Sequence, residues 1–419
     1  MVFKYNFKQH SQWSQVSNIC ERLSQKGFLA YLAGGCVRDA LLGVVPKDFD
    51  IATSATPEEV GQLFPGAVDV GKSFGVMVIP FDGFQVEVAS FRKDGLYIDG
   101  RRPETVEFSS PEEDAHRRDF TVNALFYDPQ TQKIHDFVGG LRDLEEGYLK
   151  TVGSPQQRFQ EDHLRLMRAI RFSAQLGFQI EEATLKKVFE MHDLIQTVSK
   201  ERIKDEFLKF LKSKYKKQGL ELLKSSGLLS SALPDLESYI GSGFWEKTLD
   251  LLQGSPEGEL DEDVLWSLFF LFYNFQGSHR RTLRDTLKTL KLSNKSMGHI
   301  LDWTTAFWFL HSPKGREGEK RLRWLNHHQV LARLIQTYEL GVEPFPKSKE
   351  VLTWPTSMPE RWVSAENLLA LGFSQGPELG EVLEEALLSQ LEGRFKDQKE
   401  ALDWARSLKN FSPTSGNIH

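Results

Sequence analysis

The chain has 419 residues, which is too long for a single hydrophobic core and predicts two to four domains. Hydrophobic residues make up 40% and charged residues 26%, as in soluble globular proteins, and the net charge of −6 excludes a uniformly basic nucleic-acid-binding protein. The two cysteines, Cys20 and Cys36, cannot build a disulfide framework or a structural zinc site. The sequence shows neither a signal peptide nor an apolar run of membrane-spanning length, so we expect a cytoplasmic protein.

The first 150 residues combine strand and helix signals. GFLAYLAGG predicts a strand that enters a glycine turn, and VRDALLG predicts a short helix that ends at Gly43. KDFDIATS predicts a second strand, and the capping box that begins at Thr56 predicts a helix to about Phe64. Two further strands flank the turn Asp82-Gly83.

Beyond about residue 155 the strand signals stop, and leucine-rich helical patterns follow. SPQQRFQEDHLRLMRAIRFSAQLGF predicts one continuous helix that ends at Gly177. The sequence therefore predicts an α/β region followed by an all-helical region.

Asp48 and Asp50 lie two residues apart on the second predicted strand. A period of two puts both side chains on one face, roughly 6–7 Å apart at the backbone. Mg²⁺ is commonly held by one or two carboxylates together with phosphate oxygens and water, so this pair is a candidate metal site. Without further context, such a pair is also typical of a solvated strand end.

The residues before this pair favour the metal site. Gly34 and Gly35 follow the first predicted strand and open the short helix, where the backbone N–H groups can receive a phosphate. Arg38 lies in the first helical turn and can add a charge-assisted contact. Together with Asp48 and Asp50 these residues predict a site for a nucleoside triphosphate and Mg²⁺, and the matching chemistry is two-metal nucleotidyl transfer.

Glu87 is a candidate third carboxylate. It lies on a neighbouring predicted strand between the apolar residues Val86 and Val88. The alternative, that it is an ordinary outward-facing strand residue, stays open.

LAGGCVRDALLG, followed by KDFDIATSATPEEV, resembles the class II tRNA nucleotidyltransferases and bacterial poly(A) polymerases. These enzymes add CCA to tRNA 3′ ends, or adenylate RNA, without a nucleic-acid template. The resemblance implies a catalytic sheet similar to that of polymerase β. It also implies that Gly35 and Arg38 bind the triphosphate and that Asp48 and Asp50 bind the metal ions.

The resemblance implies four parts, an α/β fold for the first and an all-α fold for the rest. We expect a nucleotidyltransferase head over residues 1–150 and a helical neck with the nucleotide-selecting motif over 151–225. A helical body over 226–300 would bind RNA, and a helical tail over 301–419 would bind RNA or be structural. Residues 28–180, approximately, carry most of the motifs that resemble this family. The resemblance is moderate from there to about residue 300 and weak beyond.

RRDFTVNAL resembles the second motif of this family, which contacts the ribose and the triphosphate. The resemblance implies that Arg118 binds the nucleotide, with Asp119 and Asn123 as supports. If the resemblance is set aside, the alternative is that Arg117, Arg118 and Asp119 form an ordinary surface ion pair and that Asn123 is a polar residue inside a helix.

EDHLRLMRAIR places Glu161, Asp162, Arg165 and Arg168 within about 120° on the predicted helix. The simplest interpretation is an amphipathic helix with Glu–Arg pairs. However, an Asp/Arg pair can also accept from an amino group and donate to a ring nitrogen, which fits cytosine and adenine but not uracil or guanine. The resemblance implies this template role for Asp162 and Arg165, and it implies triphosphate contacts for Arg168 and Arg171.

RRTLRDTLKTLKLSNK carries a basic stripe backed by leucines. On a continuous helix its four cations fall within about 80°, and they suit contacts with RNA phosphates, although a solvated face is the alternative. Recognition would read the backbone and shape of folded RNA. The four cations are Arg281, Arg284, Lys288 and Lys291.

The leading hypothesis is an enzyme that adds CCA to the 3′ end of the tRNA acceptor arm from CTP and ATP, with release of pyrophosphate. Two Mg²⁺ ions would assist, and neither a membrane nor an obligate protein partner is expected.

A poly(A) polymerase or an A-adding tRNA enzyme is the alternative, although VDVGKSFGVMVI lacks the Arg-Arg-Phe pattern of the bacterial poly(A) polymerases. The full-length loop FRKDGLYIDGRRPETVEF argues against a CC-only enzyme. A non-catalytic RNA-binding protein is a remote alternative, because it would be expected to have lost the metal pair or the base-reading pair.

Overall fold

The computed structural model describes residues 2–71, 75–95, 97, 100–101, 103–255, 260–275 and 280–411. The chain forms two compact units, residues 1–237 and 238–419, and each is described by itself. The predicted four-part division is finer than this and stays a prediction.

The first unit is built on a mixed sheet of seven strands in the order β3-β4-β5-β2-β1-β8-β9, with two separate two-stranded pairs, β6-β7 and β10-β11. Within the large sheet, β2 and β5 run parallel and the other neighbours run antiparallel. The strands are β1 Ala30–Ala33, β2 Phe49–Thr53, β3 Val68–Gly71, β4 Val76–Phe81, β5 Phe84–Ser90, β6 Arg92–Asp94, β7 Val106–Phe108, β8 Leu125–Asp128, β9 Lys133–Asp136, β10 Tyr148–Leu149 and β11 Gln179–Ile180.

Local signals explain the helices that accompany this sheet. The Thr56 hydroxyl accepts from the Glu59 amide and the Glu59 carboxylate accepts from the Thr56 amide, so the predicted capping box is confirmed. Gly43 ends its helix in the left-handed conformation with φ +82°, as predicted. The helices up to residue 150 are α1 Trp13–Gln25, α2 Gly35–Leu42, α3 Pro57–Leu63, α4 Pro111–His116 and α5 Gly140–Glu146, with short 3-10 turns at Phe7–Gln9 and Thr121–Asn123.

The predicted continuous helix from 154 to 177 is wrong. The structure has two helices, because Asp162 ends the first in an extended conformation (φ −143°, ψ 107°) and the second begins at Arg165. Gly177 does end the second helix, as predicted. The helices from here to the end of the first unit are α6 Pro155–Glu161, α7 Arg165–Leu176, α8 Glu182–Glu190, α9 Lys200–Leu211, α10 Lys216–Ser225 and α11 Leu228–Ala232, with 3-10 turns at His192–Thr197 and Pro234–Leu236.

The described part of the second unit contains helices and no strand. A non-helical residue, His327, kinks the longest helix. After α12 Glu237–Ile240 at the junction, the helices are α13 Phe244–Gly254, α14 Glu262–Phe269, α15 Arg280–Thr289, α16 Asn294–His311, α17 Glu317–Gly341, α18 Ser348–Val351, α19 Ala365–Ala370, α20 Pro377–Leu391 and α21 Gln398–Phe411.

The predicted basic stripe lies only partly on a helix. The leucines at 283, 287 and 290 are fully buried, whereas Arg284 and Lys288 are exposed, so the two-sided pattern is confirmed for these residues. Lys291 lies beyond the last residue of α15 and has φ +57°, so its predicted place on the helix is wrong. The side chain of Arg281 lies outside the described part of the structure. Within the described residues, no helix combines the length and the apolar character needed to cross a bilayer.

Candidate active site

Two carboxylates lie in register on the parallel strands β2 and β5. Asp50 is the register partner of Glu87, and both side chains are exposed between buried neighbours along their strands. Asp48 precedes the first residue of β2, so the prediction that both aspartates lie within the strand is wrong for this residue. Its charge nevertheless acts on Asp50 together with that of Glu87.

The electrostatics of this acidic group suit a divalent cation. Although solvent reaches Asp50, enclosure by the surrounding protein and the negative charge of Glu87 raise the pKa of its carboxyl group from 3.8 to about 6. Arg118 opposes this shift, and Asp48 adds to it. A cation bound here would relieve the repulsion among the three carboxylates.

A complete protein cage for a metal is absent from the described residues, where no three acidic, histidine or cysteine side chains converge closely enough to form one. Carboxylates at one sheet edge are nevertheless oxygen donors of the kind that a divalent cation can share with water and phosphate.

The glycine turn beside this acidic group is shaped by an arginine. Gly34 has φ +69°, and a Cβ atom added to it would lie 3.1 Å from Nη1 of Arg118. The Arg118 guanidinium is held by the Asp114 carboxylate (Nη2 to Oδ2, 3.0 Å), donates to the carbonyl oxygen of Asn123 and lies over the ring of Phe126. Glycine is needed at position 34 because of both its backbone angle and this close approach.

Arg38 is buried at 4% exposure on α2, whose first residue is Gly35. It donates from Nη1 to Oδ1 of Asn123 (2.5 Å) and from Nη2 to Oδ1 of Asp39 (2.6 Å). The structure thus brings three predicted nucleotide-binding residues, Gly35, Arg38 and Asn123, to one place. Their contacts with a triphosphate stay a prediction.

Asp119 connects this group to the helices that follow. Its Oδ2 accepts from Nε and Nη2 of Arg168 on α7 (2.9 and 2.5 Å), and its Oδ1 accepts from the Phe120 amide and from Nδ2 of Asn123. Burial alone would raise the pKa of Asp119. The charges of Arg168 and Arg165 outweigh burial and lower the pKa from 3.8 to about 2.

Asp162 and Arg165 lie at the break between α6 and α7, which presents both side chains at 19% and 12% exposure. Nη1 of Arg165 donates to Oε2 of Glu161 (2.7 Å), and Nη2 donates to the carbonyl oxygen of Arg117 (3.0 Å). The two predicted base-reading residues therefore flank the break, Asp162 at the end of α6 and Arg165 at the start of α7, and their side chains have separate partners.

Arg171 is buried, unlike the partly exposed Arg168. Its guanidinium is held by the Glu206 carboxylate and by the side-chain oxygen of Gln175, and it lies 3.7 Å above the ring of Phe172. These partners engage Nε and Nη1, and the predicted role of Arg171 is a contact between its guanidinium and the triphosphate. The role stays a prediction.

Two residues of the site were not among those predicted from the sequence. Asp114, at 1% exposure, holds both Arg117 and Arg118, and its spacing of three and four residues from them was a usable signal. Arg202, on α9, donates from Nη2 to Oδ2 of Asp162 (2.8 Å). Nothing in the spacing of a residue 40 positions away indicates that contact.

Comparisons with known proteins find families and folds that resemble this chain. The sequence-family model of the Poly A polymerase head domain matches residues 30–150. A second family model, described as the probable RNA and SrmB-binding site of polymerase A, matches residues 177–240. The Bacillus stearothermophilus CCA-adding enzyme, solved in complex with CTP, is 28% identical with a TM-score of 0.78, over 96% of this chain and 98% of that chain. The Thermotoga maritima CCA-adding enzyme, complexed with tRNA_CCA, shares the fold with a TM-score of 0.69 at 22% identity, over 95% of each chain.

The fold and the matched head domain define a nucleotidyltransferase of the poly(A) polymerase head type. The curated CCA-adding enzymes of Lactobacillus delbrueckii subsp. bulgaricus and Enterococcus faecalis are 33% and 34% identical to the chain. The first alignment covers 95% of this chain and 98% of that protein, and the second covers 94% and 95%. The chain belongs to the family of CCA-adding enzymes, so the predicted family and fold class are confirmed.

The Asp119–Arg168 pair predicts a pH-dependent loss of stability in Asp119→Asn. A carboxyl whose pKa falls from 3.8 to about 2 on folding stabilises the protein by about 2 kcal/mol. This contribution is full above about pH 4 and is lost as the pH falls towards 2. Urea unfolding at about pH 7 and pH 3 should show a difference between wild type and variant that shrinks at the lower pH. Asp82→Asn, in an exposed turn, is the control, and an equal loss at both values would contradict this account.

Proposed function

We propose that this protein adds C, C and A to the 3′ end of tRNA, using CTP and ATP and releasing pyrophosphate. The observation that carries the proposal is the pairing of an acidic strand edge at Asp50 and Glu87 with a separate base-reading pair at Asp162 and Arg165. The first supports nucleotidyl transfer, and the second supports a choice of nucleotide without a template. The relatives named CCA-adding enzymes along nearly the whole chain support the same activity. A tRNA substrate also suits the cytoplasmic location that we propose for this enzyme.

The base-reading pair has the chemistry to select both nucleotides. Cytosine and adenine each present an amino group beside a ring nitrogen, so Asp162 can accept from the amino group while Arg165 donates to the nitrogen. Uracil and guanine present a carbonyl oxygen at the position of the amino group. That oxygen would face the carboxylate without a hydrogen bond, which costs free energy when the contact is buried.

The triphosphate would lie between the acidic edge and the arginines. The turn at Gly34 and Gly35 lets phosphates approach the backbone at the first turn of α2, while Arg118 and Arg168 supply positive charge. The resemblance assigns Arg38 to the same phosphates. These residues orient the α-phosphate towards the 3′-hydroxyl of the RNA.

We propose Mg²⁺ as the metal, with two ions held by Asp48 and Asp50 and with Glu87 as the third carboxylate. Such ions, when bound, lower the pKa of the attacking hydroxyl and offset the charge that develops as pyrophosphate leaves. The carboxylates would hold and orient the ions, and burial together with the negative charge of Glu87 raises the pKa of Asp50 to about 6.

The basic stripe of α15 is our proposed contact with the tRNA backbone. Arg284 and Lys288 are exposed on one side of the helix, and its leucines are buried on the other, so the cations are held at a fixed spacing. Lys291 follows the helix end and belongs to the proposal as a further exposed cation. Arg281 belongs to the proposal by its sequence position alone.

A poly(A) polymerase or an A-adding enzyme on the same scaffold is the second candidate, because the head-domain model that matches is that of poly(A) polymerases. The two functions differ in the use of CTP. The remote candidate, a non-catalytic RNA-binding protein, gains no support from a chain in which both the acidic edge and the base-reading pair are intact.

Incubating the protein with tRNA that lacks CCA tests the function directly. With CTP alone we expect addition of two C residues, and with both nucleotides we expect CCA. Asp48→Asn and Asp50→Asn should each reduce the rate by more than about a hundredfold, since even residues that only support metal ligands cost about 10- to 100-fold. Asp82→Asn should leave the rate unchanged. Addition of A without C would favour the second candidate, and no addition of either nucleotide would contradict the proposal.

The raised pKa of Asp50 predicts that divalent-metal affinity weakens below about pH 6, because protons compete with the metal for this carboxylate. Binding of Mn²⁺, followed by electron paramagnetic resonance between about pH 5 and pH 8, should fall roughly tenfold per unit below that value. Glu87→Gln removes a repulsive charge and should move the onset to lower pH. An onset that does not move would show that Glu87 and Asp50 are not coupled.

Replacing Arg284 and Lys288 together by glutamine should raise the KM for tRNA and leave the KM for CTP unchanged. Two lost phosphate contacts should also reduce the slope of log affinity against log salt by about 1.5. The control is Lys396→Gln with Arg406→Gln, which removes the same charge from two exposed sites of the second unit. Equal effects in both double variants would indicate a general charge effect and would contradict a specific contact at the stripe.

A further inference from the structure

The carboxylate of Asp162 is held by two donors from different parts of the first unit. Its Oδ1 accepts from the amide of Leu164, two residues further on, and its Oδ2 accepts from Nη2 of Arg202 at 2.8 Å. Two carboxylate oxygens offer about four acceptor positions, so these bonds leave others for a base. The direction of those remaining positions is set by the two donors.

Asp162 lies outside the regular turns of both neighbouring helices. The residue is extended at the end of α6, and two residues separate it from the start of α7. A side chain in such a connection would otherwise sample several rotamers. Arg202, in contrast, lies in the first turn of the twelve-residue helix α9 and is 24% exposed at its side chain. The contact therefore ties a short connection to a regular helix.

Arg165 is fixed without Arg202. Its two terminal nitrogens donate to the carboxylate of Glu161 and to the carbonyl oxygens of Arg158 and Arg117. The two halves of the base-reading pair are thus held by separate sets of partners. A change at Arg202 should act on the carboxylate that recognises the amino group and spare the guanidinium that recognises the ring nitrogen.

We propose that Arg202 is a specificity-determining positioning residue, which aims the Asp162 carboxylate at the amino group of cytosine and adenine. This proposal rests on the nucleotide-selecting role of Asp162 in the proposed function. Arg202 acts through Asp162 and need not touch the nucleotide. Because a guanidinium has only donors, it fixes the facing oxygen as an acceptor, and a fixed acceptor is what rejects the carbonyl oxygen of uracil.

The proposal separates selectivity from catalytic rate. Without Arg202 the Asp162 carboxylate can turn away from the base, so the penalty against uracil decreases, while the metal-binding carboxylates are unaffected. We expect the ratio of kcat/KM for UTP to that for CTP to rise by roughly tenfold in Arg202→Met, within the discrimination that one bidentate base contact supplies. Arg202→Lys, which keeps the charge but not the planar fork, should give an intermediate ratio.

The experiment measures kcat/KM for CTP and UTP on tRNA that lacks CCA, and for ATP on tRNA that ends in CC. Lys204→Met is the matched control, since Lys204 lies on the same helix at 28% side-chain exposure and pairs with its neighbour Asp205. The ratio of kcat/KM for UTP to that for CTP in Lys204→Met should equal the wild-type ratio. A purely structural role for Arg202 would lower all three values by the same factor, and that outcome would overturn the proposal.

A double-mutant cycle identifies the residue through which Arg202 acts. In an Asp162→Ala background, Arg202→Met should cause no further change in selectivity, because its target is absent. A full additional change would show that Arg202 reads the nucleotide itself, which would also overturn the proposal. Thermal unfolding of each variant separates loss of folding from loss of selectivity. A wild-type protein that incorporates neither C nor A refutes the proposed function, whereas a normal wild type with unchanged selectivity in Arg202→Met refutes this inference alone.

Discussion

The bond between Asp119 and Arg168 is the interaction on which the arrangement of the site depends. It joins the turn after α4 to helix α7, two elements that are distant in the sequence. The Asp119 carboxylate is buried, so leaving its charge unpaired would be costly. Asn123 extends the connection from Asp119 to Arg38 on the glycine-turn helix. The glycine-turn helix α2 and helix α7 are therefore connected through one chain of hydrogen bonds.

Negative and positive charges occupy different parts of the site. The acidic edge at Asp50 and Glu87 carries repulsive negative charge, whereas the arginines nearby have acceptors of their own in Asp114 and Asp119. In the proposed function, a nucleotide with its metal would bring cations to the acidic edge and phosphates to the arginines. Binding energy of this kind comes from groups that are already positioned before the substrate arrives.

The break between α6 and α7 shows where sequence patterns failed. The segment around Asp162 has helical spacing, strong helix formers and no glycine or proline, so periodicity predicts one helix. The structure instead extends the backbone at Asp162, whose carboxylate binds the Leu164 amide and Arg202. Aspartate competes well for nearby backbone donors, and this local bond combined with a tertiary contact outweighs helix propensity. The sequence groups Asp162 and Arg165 by helical spacing, whereas in the structure they lie on either side of the break.

The sequence by itself determined the elements whose signals are local, because a cap, a turn or an alternating strand is specified by neighbouring residues. It determined the strand and glycine turn at Gly34, the capping box at Thr56 and the alternation around Glu87, and its motifs indicated the family. Only the tertiary structure decided the register that sets Asp50 beside Glu87 and the contact of Arg202 with Asp162. Those pairings depend on how strands and helices pack, and residues 37 and 40 positions apart carry no local signal of their contact.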